Sequence, residues 1–374
     1  MSVNCRSQRD LSLCVKRSPI FDETGAAIEA ELVRRGYDVM WAIDGDKRVL
    51  DRTALLLVGD ARHFGGFSKL LTREKASRPT TVLWHHEPLL PPETPNATER
   101  VARALLSDDA YRKLPRGPIR EIARWCIRRR RAGIARRFRR EFTKAAPCPY
   151  EISPGELCFA VNEAAALLEH MRWGWIDHLF CTTTPRIQYL ASRGIEASHV
   201  PMGYHPSLGG ELPGQVRDID VLFLGRFRGT RRGPHVRSLK RLLDQRGIVL
   251  TIVDKACYGQ QRAQLLSRTK VVVNLLSFPW DFPGYRLLFS AACGAMVVSE
   301  SCGNTEPFVD GTHFVGSRLD DLPRTIAHYL RDEPARSAIA ANARKFVTRQ
   351  LTLQNCLDRV LDAVPHSTTW RRAS

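Results

Sequence analysis

Residues 281–300 read DFPGYRLLFSAACGAMVVSE, which places an acidic residue and a glycine turn before a helical pattern and an apolar run. The helical pattern spans residues 286–293, and the apolar run at 295–299 has the length and valine content of a buried strand. Another apolar run, at 270–276, precedes the turn. A helix between two short apolar strands is typical of a βαβ unit, so this stretch predicts a parallel sheet.

The same alternation of short apolar runs and helical patterns extends over most of the chain. It predicts further strands at 11–15, 38–43, 54–58, 81–85, 177–181, 198–201, 219–224 and 249–253. The remaining pattern predicts a loop at 18–25 and helices at 26–35, 236–245, 260–268 and most of 322–364. We therefore predict an α/β protein with two Rossmann-like doubly wound domains that face a cleft.

The domain boundary is predicted from glycine and proline, which are concentrated at 206–214. We place an N-terminal domain at 1–205, a C-terminal domain at 206–350, and a helix and tail at 351–374 that can cross back to the N-terminal domain. Open parallel sheets bind ligands at the carboxyl ends of their strands. The functional site is therefore expected in the cleft between the domains.

Composition and charge limit the class of protein and of partner. The 374 residues include 57 Lys and Arg against 39 Asp and Glu, a formal net charge of +18, which attracts polyanions or anionic membranes. The ten cysteines form no CxxC pair and no Cys/His cluster at zinc spacing, so we expect no structural metal and a reducing compartment. No apolar run approaches the roughly 20 residues of a spanning helix, so we expect a cytoplasmic protein, with any membrane contact peripheral at the inner face.

A basic segment at 111–144 interrupts the alternation of strands and helices. It holds fourteen Lys and Arg against two Glu, and its apolar residues recur at helical spacing. We expect a basic helical insertion in the N-terminal domain. Three interpretations stay open: a solvated helix, a helix that binds an anionic membrane surface, and a grip on nucleic acid.

A second basic cluster follows the apolar run at 219–224. Gly225 and Arg226 end that run, and Arg231 and Arg232 come shortly after. Glycine allows close approach of the backbone to a ligand, and guanidinium groups hold phosphate oxygens in pairs. This arrangement at the carboxyl edge of a sheet is suited to a diphosphate.

Residues 281–300, together with Gly225-Arg226, VPMGY at 200–204 and GNTEPFVDG at 303–311, resemble the C-terminal domain of the GT-B glycosyltransferases of the group-1 or family-4 type. The resemblance is greatest to the spore-maturation-like branch and covers about residues 195–350. It implies transfer of a sugar from a nucleotide-diphosphate donor of the UDP or GDP type to an acceptor hydroxyl. It further implies retention of the anomeric configuration and no metal or other cofactor.

The resemblance also implies roles for individual residues. Asp281 takes the place of the carboxylate that holds the donor sugar, although it can equally be the N-cap of the following helix. Arg226 and either Arg231 or Arg232 take the places of the cations on the diphosphate. Phe289 stands where the family has a second Glu for the nucleotide ribose. This departure supports a rival interpretation, a catalytically degenerate scaffold that binds a nucleotide or polyanion.

Further donor-binding candidates surround these positions. The amino end of the helix after Gly284, with Tyr285 and Arg286, can stabilise negative charge on a departing diphosphate. Tyr258 lies in a loop that could close over the base, and Glu306 falls within the matching GNTEPFVDG stretch.

The acceptor side is predicted from His85 and His86 at the end of the apolar run 81–85. An acceptor hydroxyl needs a proton acceptor, and histidine is the usual provider near neutral pH. Adjacent side chains on a strand point to opposite faces, so the pair is not expected to bind one metal ion. The acceptor is expected to be either a lipid-linked or envelope glycan, or a nucleic acid.

Overall fold

The computed structural model describes residues 9–74, 78–96, 152–255 and 257–362, together with the isolated residues 99, 125, 126, 129, 132, 133 and 136. Most of the basic segment 111–144 and the tail 363–374 lie outside the described residues. No described helix is both long enough and apolar enough to cross a membrane.

The first half of the chain builds a parallel sheet in which six described strands have the order β2-β1-β3-β4-β5-β6. These strands are β1 Arg9–Val15, β2 Tyr37–Trp41, β3 Ala54–Gly59, β4 Thr80–His85, β5 His178–Cys181 and β6 Ser198–His199. The helices described with them are α1 Pro19–Arg34, α2 Gly65–Arg73, α3 Pro154–Trp173 and α4 Thr184–Ala191. Every residue of β3 is buried, as expected for a strand covered on both faces.

The second half builds a parallel sheet of five described strands with the order β11-β10-β9-β7-β8. These strands are β7 Ile219–Leu224, β8 Leu250–Val253, β9 Thr269–Asn274, β10 Met296–Glu300 and β11 Val315–Ser317. The accompanying helices are α5 Arg232–Asp244, α6 Gly259–Ser267, α7 Tyr285–Ala292, α8 Leu322–Arg331, α9 Glu333–Arg349 and α10 Leu353–Leu361. The predicted fold class, two parallel-sheet α/β domains, is confirmed.

The predicted loop at 18–25 is wrong, because α1 already begins at Pro19. Proline suits the first helical position, where its missing N–H has no helical partner. Gly25 lies inside the helix rather than at its start. A Cβ at Gly25 would come within 2.6 Å of the Trp41 ring, so this glycine serves the packing of α1 on the sheet rather than a turn.

The C-terminal helix α10 returns to the first half of the chain. Tyr204 donates its N–H to the Leu351 carbonyl at 2.8 Å, and its own carbonyl accepts from Leu353 N at 2.7 Å. Arg35, which follows α1, pairs with Asp358 of α10. Contacts of this kind join residues from both sides of the predicted boundary at 205/206, and the boundary itself stays a prediction.

Gly203 allows the backbone that leads into α10 to pack against it, because glycine has no side chain. A Cβ at Gly203 would lie 2.5 Å from Leu353 N and nearer still to the Thr352 carbonyl oxygen, both of which are backbone atoms. Backbone cannot rotate away as a side chain can, so we expect Gly203→Ala to lower the free energy of unfolding by about 3 kcal/mol or more in urea titrations. Gly303→Ala is the matched control, because nothing lies within 4 Å of its Cβ position. Equal stability of the two variants would contradict this account.

Candidate functional site

Two adjoining cavities lie between the carboxyl ends of the two sheets. The small cavity, of about 140 Å³, has a lining that includes three cations and one carboxylate: Arg186, Arg232, Arg286 and Asp281. The cleft cavity, of about 550 Å³, is lined by residues of both halves of the chain, such as Phe21, His86, Phe159, Arg226 and Phe278. The predicted position of the site at this edge thus coincides with the two cavities.

Two guanidinium groups line the small cavity without a carboxylate partner among the described residues. Arg286 donates to the carbonyls of Leu224 at 3.1 Å and Leu275 at 3.4 Å, and to the side-chain oxygen of Asn274. Arg232 forms no ion pair within the described residues, and its Nε has no hydrogen-bond partner there. Neither charge is therefore paired directly with a described carboxylate, which favours the binding of an anion.

The pKa values of Arg232 and Arg286 also reflect the lack of a paired carboxylate. Burial first, and then the charge of Arg232, lower the pKa of Arg286 to about 9. Burial also lowers the pKa of Arg232, although Glu156 and Asp254 oppose the shift. An anion bound beside them would offset the electrostatic cost of keeping both charged.

The sheet edge and the helices position these groups. Arg232 is the first residue of α5, and Arg286 is the second residue of α7, so two helix N-termini face the ends of β7 and β9. Gly225 lacks a Cβ that would come within 3.0 Å of Arg286 Nη2, and Gly284 has a φ of +73° as the N-cap of α7. Backbone N–H groups at such ends add to the attraction for anions.

The other predicted diphosphate cations lie in different surroundings. Arg231 is buried and binds Glu300 at 2.5 and 2.9 Å, and it also donates to the Leu276 carbonyl at 3.0 Å. Its charge is therefore already neutralised, which leaves Arg232 as the better of the two alternatives. Arg226 is exposed and lines the cleft cavity rather than the small one.

Asp281 is not the N-cap of the helix, because Gly284 occupies that position. It is buried, and its Oδ2 accepts from Arg186 Nη2 at 2.8 Å and Nε at 3.0 Å. Its Oδ1 has no hydrogen-bond partner among the described residues. One oxygen thus remains to accept from a ligand. No sequence motif indicates Arg186, which is distant along the chain and meets Asp281 only through the tertiary fold.

The two adjacent histidines face different environments. His85 is fully buried on the side of α3, where its Nε2 lies 2.8 Å from Glu163 Oε1, and it does not line the cleft cavity. His86 does line the cavity; its Nδ1 is hydrogen-bonded to the Tyr285 hydroxyl and its Nε2 has no partner. Burial lowers the pKa of His86 well below its usual value, so its ring is neutral at pH 7. Only His86 is placed to meet a ligand.

Tyr258 and Glu306 do not line either cavity. Tyr258 is the half-buried N-cap residue of α6, and Glu306 is exposed and accepts a hydrogen bond from Thr184 Oγ1 at 3.3 Å. Their roles as donor contacts have no support from this geometry and stay predictions.

Phe289 packs under a cation instead of supplying a carboxylate. The Arg262 guanidinium lies 3.8 Å from the centre of the Phe289 ring, and it donates to Glu23 Oε2 at 2.9 Å and to the Leu208 carbonyl at 2.7 Å. A guanidinium stacked on an aromatic ring is stabilised by the negative charge density of the ring face.

Within the described residues, no group of three or more His, Cys, Asp or Glu side chains is placed to hold a metal ion.

The buried pair between Arg186 and Asp281 allows a stability test. Arg186→Ala leaves an uncompensated buried carboxylate, so we expect it to lower the free energy of unfolding by about 3–5 kcal/mol. Arg324→Ala is the control, because its pair with Asp321 is exposed on both sides and should contribute under about 1 kcal/mol. Chemical denaturation at pH 7 measures both. A loss for Arg186→Ala no larger than for the control would contradict the assignment.

A family model matches part of the C-terminal half of the chain, and solved structures match the fold of the whole chain. Residues 235–362 match the family model Glyco_trans_1_2, described as glycosyl transferase-like. No curated protein matches the chain. The crystal structure of AviGT4, a glycosyltransferase involved in avilamycin A biosynthesis, has 13% identity and a TM-score of 0.51, over 95% of this chain and 96% of that one.

Alr3699/HepE from Anabaena in complex with UDP-glucose has 11% identity and a TM-score of 0.47, over 94% of this chain and 98% of that one. The likeness to AviGT4 is a likeness of fold. The chain therefore has the GT-B fold, and its glycosyl transferase-like segment, residues 235–362, includes Asp281 and Arg286 of the small cavity.

Proposed function

We propose that this protein transfers a sugar from a nucleotide-diphosphate donor to an acceptor hydroxyl, with the diphosphate in the small cavity. The observation that carries the proposal is the pair of half-buried guanidinium groups, Arg232 and Arg286, with which no described carboxylate forms an ion pair. They lie at two helix N-termini and at the carboxyl edge of a parallel sheet, where anions bind.

The chemistry of such a transfer depends on stabilising the leaving group. As the bond between the sugar and the diphosphate breaks, negative charge develops on the phosphate oxygen, and preorganised positive groups lower the barrier. Arg232 and Arg286 supply two such charges, so we propose a reaction that needs no metal. Retention of configuration is proposed on the resemblance to the spore-maturation-like branch, and the same resemblance supports a UDP- or GDP-type donor.

Asp281 and His86 have complementary roles in this proposal. Asp281 Oδ1 can accept from a sugar hydroxyl while Oδ2 stays bound to Arg186, which orients the carboxylate. His86 is neutral at pH 7 because burial lowers its pKa, so its free Nε2 can contact the acceptor hydroxyl and take its proton. Burial also raises the pKa of Tyr285, whose hydroxyl stays protonated and holds the His86 ring.

Arg286→Gln tests the proposal by removing one charge from the diphosphate site. We expect acceptor-independent release of nucleotide from UDP- and GDP-sugars to fall about 10²-fold or more, because one preorganised cation is lost. Arg228→Gln is the control, since Arg228 follows β7 at the same sheet edge but has an 82% exposed side chain, pairs with Asp254 at 2.9 Å and does not line the small cavity. It should behave like the wild-type protein.

Two outcomes would contradict the proposal. Unchanged turnover in Arg286→Gln would remove that residue from the site. A wild-type protein that binds the nucleotide sugars but releases no nucleotide would instead support the degenerate scaffold, which the stacked Phe289 favours because no carboxylate is present there.

We also propose that the basic segment 111–144 holds the protein at an anionic surface, on the inner face of the cytoplasmic membrane. Its fourteen cations support this proposal. Exchange of Arg128, Arg129, Arg130 and Arg131 for Gln should reduce flotation with anionic vesicles, whereas exchange of the exposed Arg237 and Arg241 of α5 should not. Equal flotation of both variants would contradict the proposal, and a salt-dependent shift of RNA or DNA without flotation would favour nucleic acid.

A further inference from the structure

The cleft cavity is larger than the small cavity, and fewer unpaired cations among the described residues line it. Its volume of about 550 Å³ falls in the range of pockets that bind small organic ligands. Its walls come from α1, α3 and the loop that follows β9. We infer that it binds an uncharged, hydroxyl-bearing ring as the acceptor group, an inference that rests on the proposed transfer of a sugar.

Aromatic rings from both halves of the chain line this cavity. Phe159 of α3 faces Phe278 of the C-terminal half with ring centres 6.4 Å apart, and Phe21 of α1 meets His86 edge-on at 5.6 Å. The flat faces of such rings pack against the apolar face of a sugar or against another aromatic ring. The walls therefore select a flat ring rather than an extended polar chain.

The charges around the cleft cavity favour an uncharged acceptor over an anionic one. Although the whole chain has a formal charge of +18, the charged residues that line this cavity are Glu87, Glu156 and Arg226 among those described. The nearby cation Lys16 is already bound to Glu87 at 2.6 Å and to Asp60 at 3.2 Å. With Lys16 and Glu87 paired, Glu156 and Arg226 remain as one charge of each sign, so a phosphate would find no excess of positive charge on the acceptor side.

A second nearby cation is also neutralised. Arg62 binds Glu163 Oε2 at 2.9 Å, and its guanidinium lies 4.1 Å from the centre of the Phe159 ring. It thus supports the aromatic wall instead of offering a site for an anion.

Unpaired polar atoms supply the contacts that a hydroxyl group needs. His86 is 3% exposed and its Nε2 has no partner, and Glu156 has a free Oε1 while its Oε2 accepts from Arg231 N at 3.0 Å. A ring with hydroxyl groups can donate to both atoms while its face packs on Phe159. A buried polar atom without a partner is costly, so the ligand gains by satisfying it.

The experiment compares two probes with the same ring system, 4-methylumbelliferyl β-D-glucoside and 4-methylumbelliferyl phosphate, by calorimetry on the full chain with UDP in excess, so that the phosphate site of the small cavity is occupied. We expect the glucoside to bind and the phosphate to bind at least tenfold more weakly. Phe159→Ala should lower the affinity for the glucoside about tenfold, because it removes one aromatic ring on which the ligand stacks. Trp173→Ala is the control, since this exposed residue ends the same helix. Glu87→Gln should strengthen binding of the phosphate, because Lys16 loses one of its two carboxylates.

Three outcomes would each overturn the inference. The phosphate binds as tightly as the glucoside, the glucoside does not bind, or Phe159→Ala keeps the wild-type affinity for the glucoside. Competition by methyl β-D-glucoside would identify the sugar as the bound ring, and competition by 4-methylumbelliferone would identify the aromatic ring. Release of nucleotide is measured in parallel. If the glucoside fails to bind while the nucleotide sugar is still hydrolysed, this inference alone fails; if the glucoside binds but no donor is hydrolysed, the proposed transfer fails.

Discussion

The buried ion pair between Arg186 and Asp281 joins the two halves of the chain at the site. Arg186 belongs to α4 beside the first sheet, and Asp281 lies in the loop that leads to α7 of the second. Each side chain is about 1% exposed, so neither charge is tolerable without the other. The pair thereby holds one wall of the small cavity, orients the free oxygen of Asp281, and sets the position of α7 relative to the first sheet.

The two cavities differ in whether their nearby cations are paired with carboxylates. In the small cavity, Arg232 and Arg286 form no ion pair with a described carboxylate, and burial lowers the pKa of both. Around the cleft cavity, Lys16 and Arg62 are neutralised by carboxylates of the N-terminal half of the chain. Positive charge without a partner thus faces the place proposed for the diphosphate, and a nearly neutral aromatic wall faces the place proposed for the acceptor. The high net charge of the whole chain indicates neither arrangement.

Local pattern was a reliable guide where the backbone period decides the structure. The apolar runs at 219–224 and 54–58 become β7 and β3, because strands buried on both faces require continuous apolar residues. The same reasoning is wrong at 18–25, where it predicts a loop and the chain instead begins α1. Gly25 is helical and is required by the ring of Trp41, a contact made across the fold that no local pattern contains.

The two parallel α/β sheets, the cleft between them and the residue types that an anion site needs are predictable from the amino-acid order, because they follow from periodicity and from the carboxyl edges of the strands. Which of these residues are free depends on contacts made in the folded chain. Arg231 and Arg232 are neighbours in sequence, yet Glu300 neutralises the first and no described carboxylate neutralises the second. His85 and His86 divide in the same way between Glu163 and the cleft. The physical reason is that the availability of a charge depends on its partner, and that partner lies far away along the chain.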